Sequence, residues 1–214
     1  MAELSGTPVV LLHGIGQAPT SWADVVVRLT GSRPILTPWV PGLEPTDDRS
    51  VSIPDAASEI DDRVRLEGWG PVDVVGLSYG AVVATQFAAS SADRVRRLVL
   101  IAGQVKPPKA LLKAQHLALR LVPPSRFATT GVSKERLLST LAAVSALDLR
   151  AVLPHITAPT LILVGSRDRA NTPAARALAR SIRGAKLQVV DGAGHALNEE
   201  RPRELAGVLS DFLA

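Results

Sequence analysis

Apolar runs rich in branched residues recur along the chain, and most end at a glycine. They are Pro8-Val9-Val10-Leu11-Leu12 before His13-Gly14, Pro34-Ile35-Leu36-Thr37, Val72-Asp73-Val74-Val75 before Gly76, Arg97-Leu98-Val99-Leu100-Ile101-Ala102 before Gly103, Pro159-Thr160-Leu161-Ile162-Leu163-Val164 before Gly165, and Leu187-Gln188-Val189-Val190. Short continuous runs of this kind read as strands buried on both faces. Between them apolar positions recur at helical spacing, over residues 22–30, 54–66, 81–89, 174–182 and 199–213. Thr20 and Ser21 offer caps for the first helix, and Ser52 with Asp55 marks the start of the second. Leu205, Val208, Leu209 and Phe212 give the last helix one apolar face. Strands alternating with helices predict a doubly wound, mostly parallel sheet, an α/β fold whose ligands sit at the carboxyl ends of the strands.

One segment breaks the alternation. Residues 104–158 hold no strand pattern. Apolar side chains cluster at Leu111, Leu112, Ala118, Leu119 and Val122, and again at Leu137, Leu138, Leu141, Val144 and Leu147. We read 1–103 and 159–214 as the core and 104–158 as a helical insertion. Two apolar faces exceed what packing on each other requires, so Leu111 and Leu138 are candidates for lining a pocket. Lys106, Lys109, Lys113 and Arg120 read as its solvated outer face, the alternative being attraction of anionic substrates or of a lipid surface.

The chemistry concentrates where strands end. Val72 to Val75 runs into Gly76-Leu77-Ser78-Tyr79-Gly80 and then into an alanine-rich helix. Strand, Gly-x-Ser-x-Gly turn and helix together make a nucleophile elbow, with Ser78 at its tip. The glycines remove side chains that would collide where strand and helix pass. A serine hydroxyl needs a base to take its proton, commonly a histidine oriented by a carboxylate. Among the four histidines, His195 follows the last strand in Asp191-Gly192-Ala193-Gly194-His195. His116 and His155 read as surface or packing residues, and His13 as a brace for its own loop. The acid belongs between serine and histidine in chain order, where Gly165-Ser166-Arg167-Asp168 supplies Asp168. Asp191 is the rival, too close to His195 in sequence to reach the far side of the ring. Two N–H donors must meet the developing oxyanion; Tyr79, behind the elbow, and Ile15, in the loop after the first strand, are the candidates.

Leu11-Leu12-His13-Gly14, Gly76-Leu77-Ser78-Tyr79-Gly80, Gly165-Ser166-Arg167-Asp168 and Gly194-His195, in this order, resemble the α/β-hydrolase fold family over essentially the whole chain. The resemblance implies Ser78 as nucleophile, His195 as base, Asp168 as acid, and Ile15 and Tyr79 N–H as oxyanion donors. It also implies that 104–158 is a small cap and that no cofactor or metal is needed. Two features depart from the family pattern. The strand bearing His13-Gly14 comes almost at the start, so the family's first hairpin is absent or reduced, leaving a sheet edge open to a homodimer partner. After the second strand the chain reads Trp39-Val40-Pro41-Gly42-Leu43-Glu44-Pro45-Thr46, and Trp39 becomes a candidate pocket residue.

Composition narrows the function. Hydrophobic residues make up 46% and charged residues 21% of 214, a globular balance sufficient for one core. There is no cysteine, which excludes disulfides and thiolate chemistry. The net charge of +4 comes from scattered basic residues, and aromatics are only 3%, which argues against a nucleic-acid platform. No leader or membrane-spanning run is visible, so the expectation is a cytoplasmic protein without stable membrane insertion. The function expected is ester hydrolysis of small to medium, mainly apolar small-molecule substrates through an acyl-enzyme. Thioester hydrolysis, carbon–carbon bond hydrolysis and cofactor-free perhydrolysis use the same parts. A small-ligand-binding protein with little turnover is the alternative from another class.

Overall fold

The computed structural model describes residues 6–29, 33–45, 52–106, 117, 121, 138, 140 and 147–214. Six strands form one sheet: β1 (Val9–Leu12), β2 (Ile35–Leu36), β3 (Val72–Leu77), β4 (Val95–Ile101), β5 (Thr160–Gly165) and β6 (Lys186–Val190). Their order across the sheet is β2-β1-β3-β4-β5-β6, and every pairing is parallel. The helices are α1 (Ala23–Val26), α2 (Ile53–Leu66), α3 (Tyr79–Ser90), α4 (Thr172–Ser181), α5 (Leu197–Glu200) and α6 (Pro202–Leu213). This is the doubly wound architecture that the alternating runs predict.

The strand sequences are mostly apolar, and the pleat sorts their side chains between two faces. Val10, Leu12, Val74, Leu98, Leu100, Ile162 and Val164 join one buried cluster with residues of α2, α3 and α4. Val9, Leu11, Val75, Val99, Ile101, Leu161 and Leu163 join the other, with Trp22, Val25 and the apolar face of α6. The four central strands β1, β3, β4 and β5 are therefore covered on both faces, the condition under which parallel sheets persist, whereas the edge strand β6 is exposed over Lys186–Val189. Helix α3 is buried nearly all round, which its alanines, glycine and valines permit by their small size.

Three boundaries differ from the expected ones, each for a local reason. The first helix begins as a 3-10 turn over Pro19–Trp22 and is α-helical only over Ala23–Val26. Ser21 does not cap it; its hydroxyl and carbonyl accept from Asn198. The closing helix is divided at Arg201 (φ −138°, ψ 50°), because Pro202 drives the residue before it out of helical geometry. Helix α4 starts at Thr172, where Pro173 fits the first turn. Ser52 caps α2 as expected, its hydroxyl accepting the Asp55 N–H.

The insertion leaves and rejoins the core through a closed neck. Leu149 N–H donates to the Val105 carbonyl at 2.9 Å, and Asp148 pairs with Lys106 at 3.0 Å and with Arg150 at 2.6 Å. Leu147, Leu149, Leu153 and Ile156 already belong to the core cluster of α3. Leu117 and Leu121 are helical and exposed, and Leu138 is helical and half-buried. Leu111, His116 and most of both apolar stripes lie outside the described residues. No helix among the described residues is long and apolar enough to cross a membrane.

The end of the sheet away from the loops of interest is tied by charge. Asp73, fully buried in β3, accepts from Arg96 at 2.8 and 2.6 Å and from Arg33 at 3.5 Å. Both arginines also donate to the Leu213 carbonyl at the end of α6, where cations suit the helix dipole. Burial holds the Asp73 carboxyl above its ordinary range, while the two arginines pull it back. Losing the carboxylate would strand the guanidinium groups it satisfies. Asp73→Ala should lower the unfolding free energy by about 3 kcal/mol, seen in urea as a lower midpoint at unchanged slope; an unchanged midpoint would show that the arginines find equivalent partners.

Candidate active site

At the carboxyl ends of β1, β3 and β5 the loops that carry the chemistry converge. β3 ends at Leu77, and Ser78 follows with φ 55° and ψ −112°, a conformation that L residues rarely adopt. Its own N–H donates to the Ile101 carbonyl of β4 at 2.8 Å, and its carbonyl accepts from Ala81 and Val82, the first bonds of α3. The turn is this tight because its glycines let backbone meet backbone. A Cβ on Gly76 would overlap the Gly80 carbonyl, and one on Gly80 would overlap the Leu12 carbonyl of β1. Gly14 is held nearly as closely: a Cβ there would lie 3.1 Å from that of Ser78. The Ser78 hydroxyl is half-buried and makes no hydrogen bond among the described residues. Neither Ile15 N–H nor Tyr79 N–H has an acceptor among them.

Asp168 lies in the loop after β5, buried, with Oδ2 2.8 Å from His195 Nδ1. Asp191, the rival carboxylate, is exposed and accepts from the Ser166 hydroxyl at 3.2 Å. Burial opposes ionisation of Asp168, but the bonds from His195 and Asn171 outweigh it and hold the carboxyl below its ordinary range. An ionised Asp168 accepts the Nδ1 proton of His195, which leaves Nε2 as the basic nitrogen. The His195 side chain is 48% exposed, so the ring faces the open side of the site.

Several contacts in this site escape a reading of motifs. Asn171 donates through Nδ2 to both Asp168 oxygens at 2.8 Å, and its amide nitrogen sits 3.1 Å from His195 Nδ1. Glu200 braces the histidine loop from below, accepting from Gly194 N–H at 2.7 Å and Ala196 N–H at 3.2 Å. The loop of Ile15 is held by Gln17, which accepts from Gly14 N–H and donates to buried Asn198. Only Asn171 left a local signal, as an asparagine three residues after an aspartate, the spacing of a side-chain-closed turn. Gln17 and Asn198 are far apart in sequence, and no periodicity links them.

His13 is a brace, as its position before Gly14 suggests. It is fully buried, with Nδ1 3.0 Å from the Gly14 carbonyl and Nε2 accepting the Val40 N–H at 3.2 Å. Trp39 is half-buried, packs on the core and stands edge-on to the His13 ring, with centroids 5.2 Å apart. His155 is exposed. Among the described residues no group of three His, Asp or Glu side chains could hold a metal ion.

Residues 9–208 match the alpha/beta hydrolase family. The chain belongs to that family. This hydrolase is 25% identical to a pyrrolizixenacetamide deacetylase of Xenorhabdus hominickii, over 97% of this chain and 91% of that protein. It is 26% identical to monoacylglycerol lipase abhd6-B of Xenopus laevis, over 96% of this chain and 75% of that one. Among solved structures, the enol-lactonase from Burkholderia xenovorans LB400 matches 98% of the hydrolase and 92% of its own chain, with TM-score 0.85 and 22% identity. The esterase EaEST from Exiguobacterium antarcticum matches with TM-score 0.86 and 20% identity, over 98% and 92%. At these identities the structural likenesses show the shared fold.

Burial lowers the affinity of His13 for a proton, to a pKa of about 4, against a smaller opposing effect of its bond to the Gly14 carbonyl. The unfolded chain takes that proton near pH 6.5 and the folded hydrolase only near pH 4. Stability from the neutral ring is thus whole above pH 6.5 and is lost as pH falls through this window, by about 3 kcal/mol in all. The unfolding free energy of the wild type should fall across this range more steeply than that of His13→Gln. Parallel curves for the two proteins would mean that His13 titrates normally in the fold.

Proposed function

We propose that the protein is a serine hydrolase that cleaves carboxylic esters of small to medium, mainly apolar substrates through an acyl-enzyme. The observation that carries this reading is the 2.8 Å contact between Asp168 and His195, on loops at the same sheet end as Ser78. Support also comes from the family membership and from relatives described as an esterase and a lipase. In the proposed cycle His195 Nε2 takes the Ser78 proton as Oγ attacks the ester carbonyl. The oxyanion accepts from Ile15 and Tyr79 N–H, and its charge develops at the start of α3, where the helix dipole is positive. His195 then protonates the leaving alcohol, and water, activated by the same imidazole, releases the acid. Asp168 holds the ring in the tautomer that this requires and pairs with the imidazolium. The Ser78 hydroxyl has no hydrogen bond to His195 among the described residues, and in this reading the bond forms when substrate binds.

Substrate size rests on the insertion. Thr140 in the insertion donates to the Gly42 carbonyl at 3.1 Å, beside the loop of Trp39. In this reading Trp39, Leu138 and Leu111 line an acyl pocket with few aromatic rings, suited to short or medium chains rather than to stacked ligands.

A fluorophosphonate probe should label the wild type and spare Ser78→Ala, and that variant should lose about 10³-fold or more in kcat while keeping its fold. A Ser78→Ala protein with half its esterase activity would overturn the assignment.

Asp168→Asn should cost about 10³- to 10⁴-fold in kcat, whereas Asp191→Asn should cost little. The reverse ranking in steady-state kinetics would assign the acid to Asp191. Across p-nitrophenyl esters kcat/KM should peak at short to medium acyl length; a rate jump at a lipid interface would contradict the small-ester reading.

A further inference from the structure

Asp168 is held, beside His195, by a chain of two amides whose polarity its charge sets. An ionised carboxylate only accepts hydrogen bonds. Asn171, 2.8 Å from both Asp168 oxygens, must therefore present its NH₂ group there. Its carbonyl Oδ1 then faces the other way, toward Gln104, whose Nε2 donates to it. Gln104 must in turn present its own NH₂ group. The order donor–acceptor, donor–acceptor runs from Gln104 through Asn171 to Asp168 and so to His195 Nδ1.

Gln104 is placed firmly for this. It follows β4 through Ala102 and Gly103, and Ala102 has φ 50°. Among the described residues Ala102 and Ser78 are the two non-glycine positions with positive φ. A strained residue persists where its surroundings over-determine it, and the Ala102 N–H is bonded to the Leu163 carbonyl of β5 at 2.9 Å. The turn thus delivers Gln104, the first residue of the insertion, against Asn171 at the start of α4. Two charged side chains on the adjoining loops are engaged elsewhere, Arg167 with the Gly192 carbonyl and Glu200 with the Gly194 and Ala196 N–H groups, and Arg169 is exposed.

We propose that Asn171 and Gln104 are positioning residues of the hydrolase, a polarity-locked amide relay that orients Asp168 toward His195 and ties that orientation to the base of the insertion. The proposal rests on the Ser78–His195–Asp168 reading above. Asn171 satisfies the carboxylate oxygen that His195 does not use, so Asp168 cannot rotate away without losing two bonds. Gln104 keeps the Asn171 amide from flipping, because a flip would set oxygen against oxygen on one side and NH₂ against NH₂ on the other.

The polarity of position 104 is the test. Gln104→Lys keeps a donor, Gln104→Leu has neither donor nor acceptor, and Gln104→Glu offers only acceptors. The relay predicts kcat within about twofold of wild type for Gln104→Lys, lowest for Gln104→Glu at about tenfold down, and intermediate for Gln104→Leu, with KM changed less than about twofold throughout. A packing role predicts the opposite order, since Glu matches Gln in shape. In an Asn171→Leu background the Gln104→Glu change should have no further effect; an undiminished loss there would mean direct charge repulsion and overturn the relay. A second measurement does not need turnover. The downfield NMR signal of the His195 Nδ1 proton should move in Gln104→Glu and stay in place in Gln104→Lys. If Ser78→Ala abolishes activity while this signal ignores position 104, the relay fails and the serine hydrolase stands. If Ser78→Ala remains active while the signal follows the donor order, the relay holds and the serine is misassigned.

Discussion

Everything at the carboxyl end of the sheet depends on one close crossing of backbones. Helix α3 starts directly over the end of β1, with Gly80 against the Leu12 carbonyl, while Gly76 lies beneath Gly80 and Ala81. No side chain fits at either glycine, and Ser78 between them is forced to φ 55°. Such a residue costs roughly 1–3 kcal/mol. The flanking elements supply the compensation: β3 is buried from end to end, and most of α3 is buried with it. The strain has a geometric product. It lifts the serine clear of the sheet and brings the loop of Gly14 and Ile15 against it. The Tyr79 N–H, one residue after Ser78, and the Ile15 N–H, one residue after Gly14, have no acceptor among the described residues.

The parts of this arrangement that were legible in the sequence are those written in local patterns. Short apolar runs marked all six strands, four of them stopped by a glycine, and Gly76-x-Ser78-x-Gly80 carried its own geometry because both glycines are sterically required. Asp168 was separable from Asp191 because a loop after β5 can reach around the imidazole, whereas a residue in the histidine's own loop cannot. What stayed hidden are polar contacts between distant positions. Gln17 reaches Asn198, Gln104 reaches Asn171, and Thr140 reaches Gly42. Amides and hydroxyls in loops have no periodicity and no preferred partner until the fold brings one near. The break at Arg201 differs from these: Pro202 states it openly, and the apolar stripe of 199–213 conceals it only when periodicity is weighed alone.

His13 and His195 show how position decides what one residue type does. Each directs Nδ1 at an oxygen, a carbonyl for His13 and a carboxylate for His195. The carbonyl carries no charge to balance an imidazolium, and His13 is sealed from water, so its ring stays neutral and serves as a spacer between two backbone groups. The carboxylate of Asp168 can balance one, and the half-open site lets the far nitrogen of His195 meet a ligand. Burial and the charge of the partner divide the two roles before any substrate arrives.

The loop after β2, which departs from the family pattern, then acquires a role. Three consecutive residues in it each bond, through the backbone, a side chain from a different part of the molecule. Val40 N–H goes to His13 of the Ile15 loop, the Pro41 carbonyl accepts from the Tyr79 hydroxyl behind the elbow, and the Gly42 carbonyl accepts from Thr140 of the insertion. Gly42 has φ 86°, which turns the chain within that short span and is open to glycine at little cost. Each bond is buried, where an unmade partner costs about 1–3 kcal/mol. The loop therefore cannot shift without disturbing the Gly14–Ile15 loop, the elbow and the insertion together.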